Sequence, residues 1–212
     1  RKESSAASDV YKRQSLPAHG HRWQGCRVWP AFVVFVSARS LTMCGSELIA
    51  LPAGAQRVAA YLSERGHGQM PVMLADSART AQQAADALGI EVGQIAKSII
   101  FRRLPDDVAV LVVTSGDRRV DENKVAPLVC AEGQTLGRAD AAFVKAATGF
   151  SIGGVSPVAH ATAVATLIDQ DLSRFEQIWA AAGHPHAVFA LTPGELATLT
   201  QAPVADVVVR AA

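Results

Sequence analysis

Residues 94–114 read QIAKSIIFRRLPDDVAVLVVT, two apolar segments joined by Pro105-Asp106-Asp107. Runs this rich in Ile and Val favour extended backbone, and a Pro-Asp-Asp step between them is turn chemistry. The segment therefore predicts a β-hairpin with strands over 94–103 and 108–114. Side chains alternate along a strand, so Ile95, Lys97, Ile99 and Phe101 share one face. A lysine among three large apolar neighbours must either lose water or find a polar destination. It is a snorkelling edge residue or the floor of a polar pocket.

Around this hairpin the chain alternates helical and extended patterns. Val58, Tyr61 and Leu62 line one face of a helix over 54–66, which Gly66 suits as a terminator. A strand is expected at 70–75, then Ser77 and Thr80 as caps for a helix over 80–89 that stops at Gly89. Val120-Asp121 opens a short helix carrying Lys124 and limited by Pro127, and a second helix follows over 139–149. Apolar segments at 162–168, 176–182 and 186–191, a helix near 193–199 and a strand at 204–210 complete the order. Without a regular strand–helix repeat, this predicts one α+β domain: a mixed, largely antiparallel sheet with flanking helices.

The first 42 residues lack a sustained period, and the sequence begins with Arg1 rather than Met. The expectation is a non-domain extension over 1–42, disordered or not native, ahead of a domain over 43–212 that starts near Met43. That extension carries a charge of +5, leaving −4 for the remainder, so any nucleic-acid contact must be local rather than a broad basic surface. Three scattered cysteines, Cys26, Cys44 and Cys130, form no CxxC pair and fit a reducing cytoplasm. The apolar AFVVFV run at 31–36 is too short for a membrane span and lacks a convincing signal-cleavage site after it.

Several motifs carry competing readings. Lys97-Ser98 is no phosphate loop, because Ala96 stands where a glycine is required. GGVSP lacks the second glycine of a nucleophile elbow, Val158 taking its place. His184 and His186 read as a surface loop rather than a metal pair, with no carboxylate or cysteine beside them in sequence. His160 is a loop residue or a pocket wall. SGDRRVDENK (115–124) is either a solvated turn with an acidic helix start or a phosphate-facing rim in which Asp117 pairs with a lysine or an ammonium. In TGFSIGGVSP (148–157), Gly153 and Gly154 permit close approach of a ligand to the main chain, and Pro157 stiffens the exit.

Together, these stretches resemble the YbaK/prolyl-tRNA synthetase-associated editing domain family. The resemblance runs from about Ala55 to Val209 through TAQQAADALG, GQIAKSIIF, VLVVTSGDRRVDENK, TGFSIGGVSP, VATLIDQDL and VADVVV. It implies the family's α+β fold and hydrolysis of the ester that joins a wrong amino acid to tRNA. Lys97 would be the key lysine, and Gly153 to Pro157 the loop whose backbone holds the aminoacyl group and helps place water. The lysine would act as a cation on a phosphate or oxyanion, or as a desolvated neutral base. Asp117 would orient Lys97 or meet the substrate ammonium, with Thr80, Ser156 and His160 as wall residues. The tRNA acceptor end would meet a rim of Arg102, Arg103, Arg118, Arg119 and Lys124. No metal or cofactor is implied, nor a membrane or DNA partner; an aminoacyl-tRNA synthetase is a further partner. The rivals are a non-catalytic tRNA- or synthetase-binding module of the same fold, and an esterase for another activated acyl group. GFSIGG and SPVAH depart from the family pattern, so the resemblance assigns neither amino acid nor tRNA.

Overall fold

The computed structural model describes residues 51–75 and 80–210; the expected extension, the Met43 start and the Ser77 cap lie outside them. Helix α1 (Ala53–Glu64) leads to β1 (Val72–Met73) and α2 (Ala81–Leu88). Thr80 closes α2 with a full capping box, and Gly89 ends it in the left-handed region. The hairpin forms as β2 (Ile95–Leu104) and β3 (Val108–Ser115), paired in register from Ala96↔Ser115 to Arg103↔Val108.

Beyond the hairpin come α3 (Glu122–Val129), β4 (Thr135–Arg138), α4 (Ala141–Thr148), β5 (Ala165–Asp169), β6 (Ile178–His184), β7 (Ala187–Leu191), α5 (Pro193–Thr200) and β8 (Val204–Ala205). They assemble one sheet in the order β1-β7-β6-β2-β3-β5-β8, with β4 also on β2. Four of the seven pairings among the described residues are antiparallel and three parallel, the mixed sheet expected. β3 lies inside it between β2 and β5, and its alternate residues serve different clusters. Leu111 and Val113 join α1, Phe150 and α5, whereas Val110 and Val112 join Val125 of α3 and Val207. Burial on both faces explains why this strand is continuously apolar in sequence.

Three local expectations change. Pro127 does not limit α3, which continues to Val129; the helix forgoes one internal donor there. The last strand shrinks to Val204–Ala205. Beyond it the chain leaves the sheet, where Asp206 and the Val208 carbonyl take up the Lys124 ammonium. Polar, four-residue β4 gave no strand pattern, and it forms by pairing with Phe101–Leu104.

One feature of β2 positions everything that follows. Its edge away from β3 is paired with β6 only at Ile95 and Ala96, and with β4 only from Phe101 to Leu104. Residues 97–100 lie between these pairings, leaving a four-residue opening in the sheet beside Lys97. Alternate residues there direct backbone N–H and C=O groups out of the sheet edge.

Candidate active site

A cavity of about 280 Å³ opens at this break. Lys97 and Ser98 form its floor, Thr80 and Ala84 bring in α2, and Gly153 and Val155 cover it from the glycine loop. Trp179, Ala181 and Ala187 supply an apolar wall of mostly small side chains. Three of the expected residues, Lys97, Thr80 and Gly153, thus meet around one space.

Lys97 is half-buried and donates to the carbonyls of Gly116 (3.4 Å) and Arg118. Those carbonyls belong to the turn after β3, which sits close because residue 116 is glycine: a Cβ there would lie 2.2 Å from the Val92 carbonyl oxygen. Burial lowers the lysine's pKa, while Asp117 and Asp169 pull it back upward. As an ammonium it has three N–H donors, so two bonds to carbonyls leave one for a ligand.

Asp169 completes a row across three strands. Lys97 pairs with Thr114 in register, and the Thr114 hydroxyl donates to Asp169 Oδ2 at 2.9 Å. The Asp169 carboxyl is buried, which raises its pKa against the hydrogen bonds it accepts from Asp171 and Thr114. In the sequence Asp169 carries no motif within VATLIDQDL; its signal is an acid closing an apolar strand.

Other expected residues lie elsewhere. Asp117 makes no ion pair with Lys97: it pairs with Arg174 at 2.9 Å and accepts from Ser115 at 2.6 Å. Burial pushes its carboxyl up, but the Arg174 and Ser115 bonds hold it below the usual range. Ser156 is no wall residue; it is fully buried, and its hydroxyl accepts the Val158 N–H at 3.3 Å. His160 sits behind the loop, its Nε2 2.8 Å from the Ser156 carbonyl and its ring edge-on to Phe150. Pro157 is buried beside it. Gly154 packs on the β6–β7 turn, where a Cβ would lie 2.6 Å from the His184 carbonyl carbon.

The basic rim is also mostly self-neutralised. Arg102 pairs with Asp107 and Arg103 with Asp106, both at 2.7 Å. Arg118 pairs with Asp171 at 2.9 Å, and Lys124 with Asp206 at 3.0 Å. Arg119 remains, exposed in a second groove that also includes Arg138.

Over residues 75–199 the sequence matches the profile of the aminoacyl-tRNA editing domain. The chain belongs to this family. YwhH of Bacillus subtilis strain 168, an uncharacterized protein, is 34% identical over 120 residues, spanning 57% of this chain and 74% of YwhH. A proline–tRNA ligase of Thermoanaerobacter sp. strain X514 is 29% identical over 94 residues, 44% of this chain but only 16% of the ligase. In three dimensions the editing domain resembles a crystal structure described as a candidate trans-editing enzyme for prolyl tRNA synthetase. That likeness has a TM-score of 0.70 at 43% identity, over 76% of this chain and all of the other. No helix among the described residues of the editing domain is long and apolar enough to cross a membrane.

Proposed function

We propose that this chain is a cytoplasmic deacylase acting in trans on mischarged tRNA, with a small amino acid on tRNA-Pro or a related tRNA as substrate. The observation that carries the reading is Lys97: a half-buried lysine whose Nζ is held by two main-chain carbonyls at a cavity roofed by a glycine loop. Nothing else in the cavity's described lining is charged.

An aminoacyl ester is an activated acyl group, so positioning and charge stabilisation suffice for hydrolysis. Water attacks the ester carbonyl carbon, negative charge develops on its oxygen, and the C–O bond to the ribose breaks. The ribose oxygen takes a proton, releasing free amino acid and tRNA with a restored hydroxyl. Lys97 offers its remaining N–H to the developing oxyanion or to the neighbouring phosphate. The Gly153–Val155 backbone faces it and holds the aminoacyl group. Among the described lining residues there is no histidine or carboxylate to activate Ser98 or Thr80, which favours water as the nucleophile.

Selection rests on exclusion. Trp179 and the alanine wall leave room for a short side chain, and each extra methylene changes binding by only about 1–3 kcal/mol. The test is a panel of tRNAs mischarged with Ala, Cys, Ser, Thr or 2-aminobutyrate. Hydrolysis of one or more members is the expected result, unchanged by EDTA. Hydrolysis of none would leave the fold as a tRNA- or synthetase-binding module.

A further inference from the structure

The cavity does not end at Lys97. A shallow apolar recess formed by Ile99, Ile100 and Ile152 continues from it along the open edge of β2, sharing Ser98 and Gly153 with it. That recess in turn shares Ile99, Ile100 and Ala139 with the groove that holds Arg119 and Arg138. Through these shared lining residues the three spaces adjoin in a row and make up a furrow along β2. One end holds the half-buried lysine and the other two exposed arginines.

Three observations point to what lies along it. Arg119 and Arg138 have no side-chain partner, whereas Arg102, Arg103 and Arg118 each pair with a carboxylate. Glu122 stands on the same groove, leaving it a modest positive charge, which suits one or two phosphates rather than a duplex backbone. Midway, Ile152 is 61% exposed and lines the same recess as Ser98, Ile99 and Ile100, whose strand edge β4 and β6 leave unpaired. An apolar face beside free N–H and C=O groups is a surface on which a flat base can stack and be read by the main chain.

We infer that this furrow is the track for the single-stranded 3′ end of the tRNA. The aminoacyl ester sits at Lys97, the terminal base lies against Ile99, Ile100 and Ile152, and the preceding phosphates meet Arg119 and Arg138. The inference rests on the deacylase reading for its substrate, and it fixes which cations grip that substrate. Arg102 and Arg103, occupied by their own hairpin turn, are not among them.

The test uses the full chain and an uncharged, fluorescein-labelled RNA hairpin with a single-stranded ACCA 3′ end, followed by anisotropy across a salt series. Replacing both arginines (R119Q/R138Q) is expected to weaken binding at least tenfold. It should also flatten the log–log salt slope by about 1.4, at roughly 0.7 per single-strand phosphate contact. A second variant, Ile152→Glu, carries its charge on an exposed site and should weaken the same RNA. Neither variant should change binding to a hairpin trimmed flush. Unchanged affinity for the ACCA hairpin, or an equal loss on the flush one, overturns the track, as does a larger loss in R102Q/R103Q. Deacylation of the charged RNA by wild type is measured separately. Overhang-dependent binding without hydrolysis therefore keeps the track and rejects the deacylase, and hydrolysis with R119Q/R138Q binding unchanged does the reverse.

Discussion

Replacing Gly154 with alanine tests whether the glycine loop positions the chemistry. A Cβ there would fall 2.6 Å from the His184 carbonyl carbon, 2.8 Å from its Cα and 2.8 Å from the Pro185 nitrogen. Ordinary contact begins at 3.4 Å, so the shortfall is about 0.8 Å against backbone that cannot rotate aside. The loop must move off the β6–β7 turn by nearly that distance, carrying Gly153 and Val155 across the cavity mouth. Displacements near 1 Å in a positioned site cost up to about 10²-fold in rate. Overpacking of this kind also destabilises by about 1–3 kcal/mol. Gly153→Ala is the control: the nearest atom is Pro185 Cγ at 3.9 Å, so space is free, and the penalty is backbone strain at φ +91°. That strain costs about 1–2 kcal/mol. Single-turnover deacylation with thermal melts separates the two. Gly154→Ala should lose about 10²-fold in rate while folded at the assay temperature, and Gly153→Ala should lose stability with a smaller rate effect. A folded Gly154→Ala enzyme at wild-type rate would refute the positioning argument.

Further outcomes follow from the charges and the wall. Asp169 raises the Lys97 pKa. Asp169→Asn, which still caps the following turn, should therefore move the alkaline limb of the rate profile to lower pH; a fixed limb would detach Asp169 from the lysine. Burial holds His160 neutral with a depressed pKa, so the unfolded chain takes up its proton first as pH falls below about 6.5. Stability should then drop with acidification, and His160→Gln should flatten that slope in melts at pH 5 to 7. Trp179→Ala widens the apolar wall and should raise turnover of esters one or two carbons larger by about tenfold relative to the smallest, within the reach of methylene discrimination. No relative gain for the larger esters would take Trp179 out of the selecting wall.

What was legible in the sequence was local. Thr80 as a cap, the Pro105–Asp107 turn and the face shared by Lys97 follow from neighbouring residues, and the structure forms each of them. The break beside Lys97 was not legible, because it depends on where β6 and β4 dock on β2, up to 84 positions away in sequence. The same distance hid the partner of Asp117. Arg174 lies 57 residues downstream on a short turn after β5, and it takes the carboxylate that local charge had matched to Lys97. Composition made Lys124 a rim cation; the departure of the last segment from the sheet brought Asp206 to it instead. The resemblance implies Ser156 and His160 as wall residues, yet a loop that presents its backbone forward anchors these side chains behind it.

The central claim is that Lys97 at the open edge of β2 drives ester hydrolysis. Measuring kcat/KM on a panel of mischarged tRNAs for wild type and Lys97→Ala tests it most directly, with thermal melts to establish folding. The account predicts hydrolysis by wild type and a loss of at least about 10²-fold in the variant, the scale of one removed oxyanion-stabilising donor. Undiminished hydrolysis by folded Lys97→Ala, or none by wild type on any member, would contradict it.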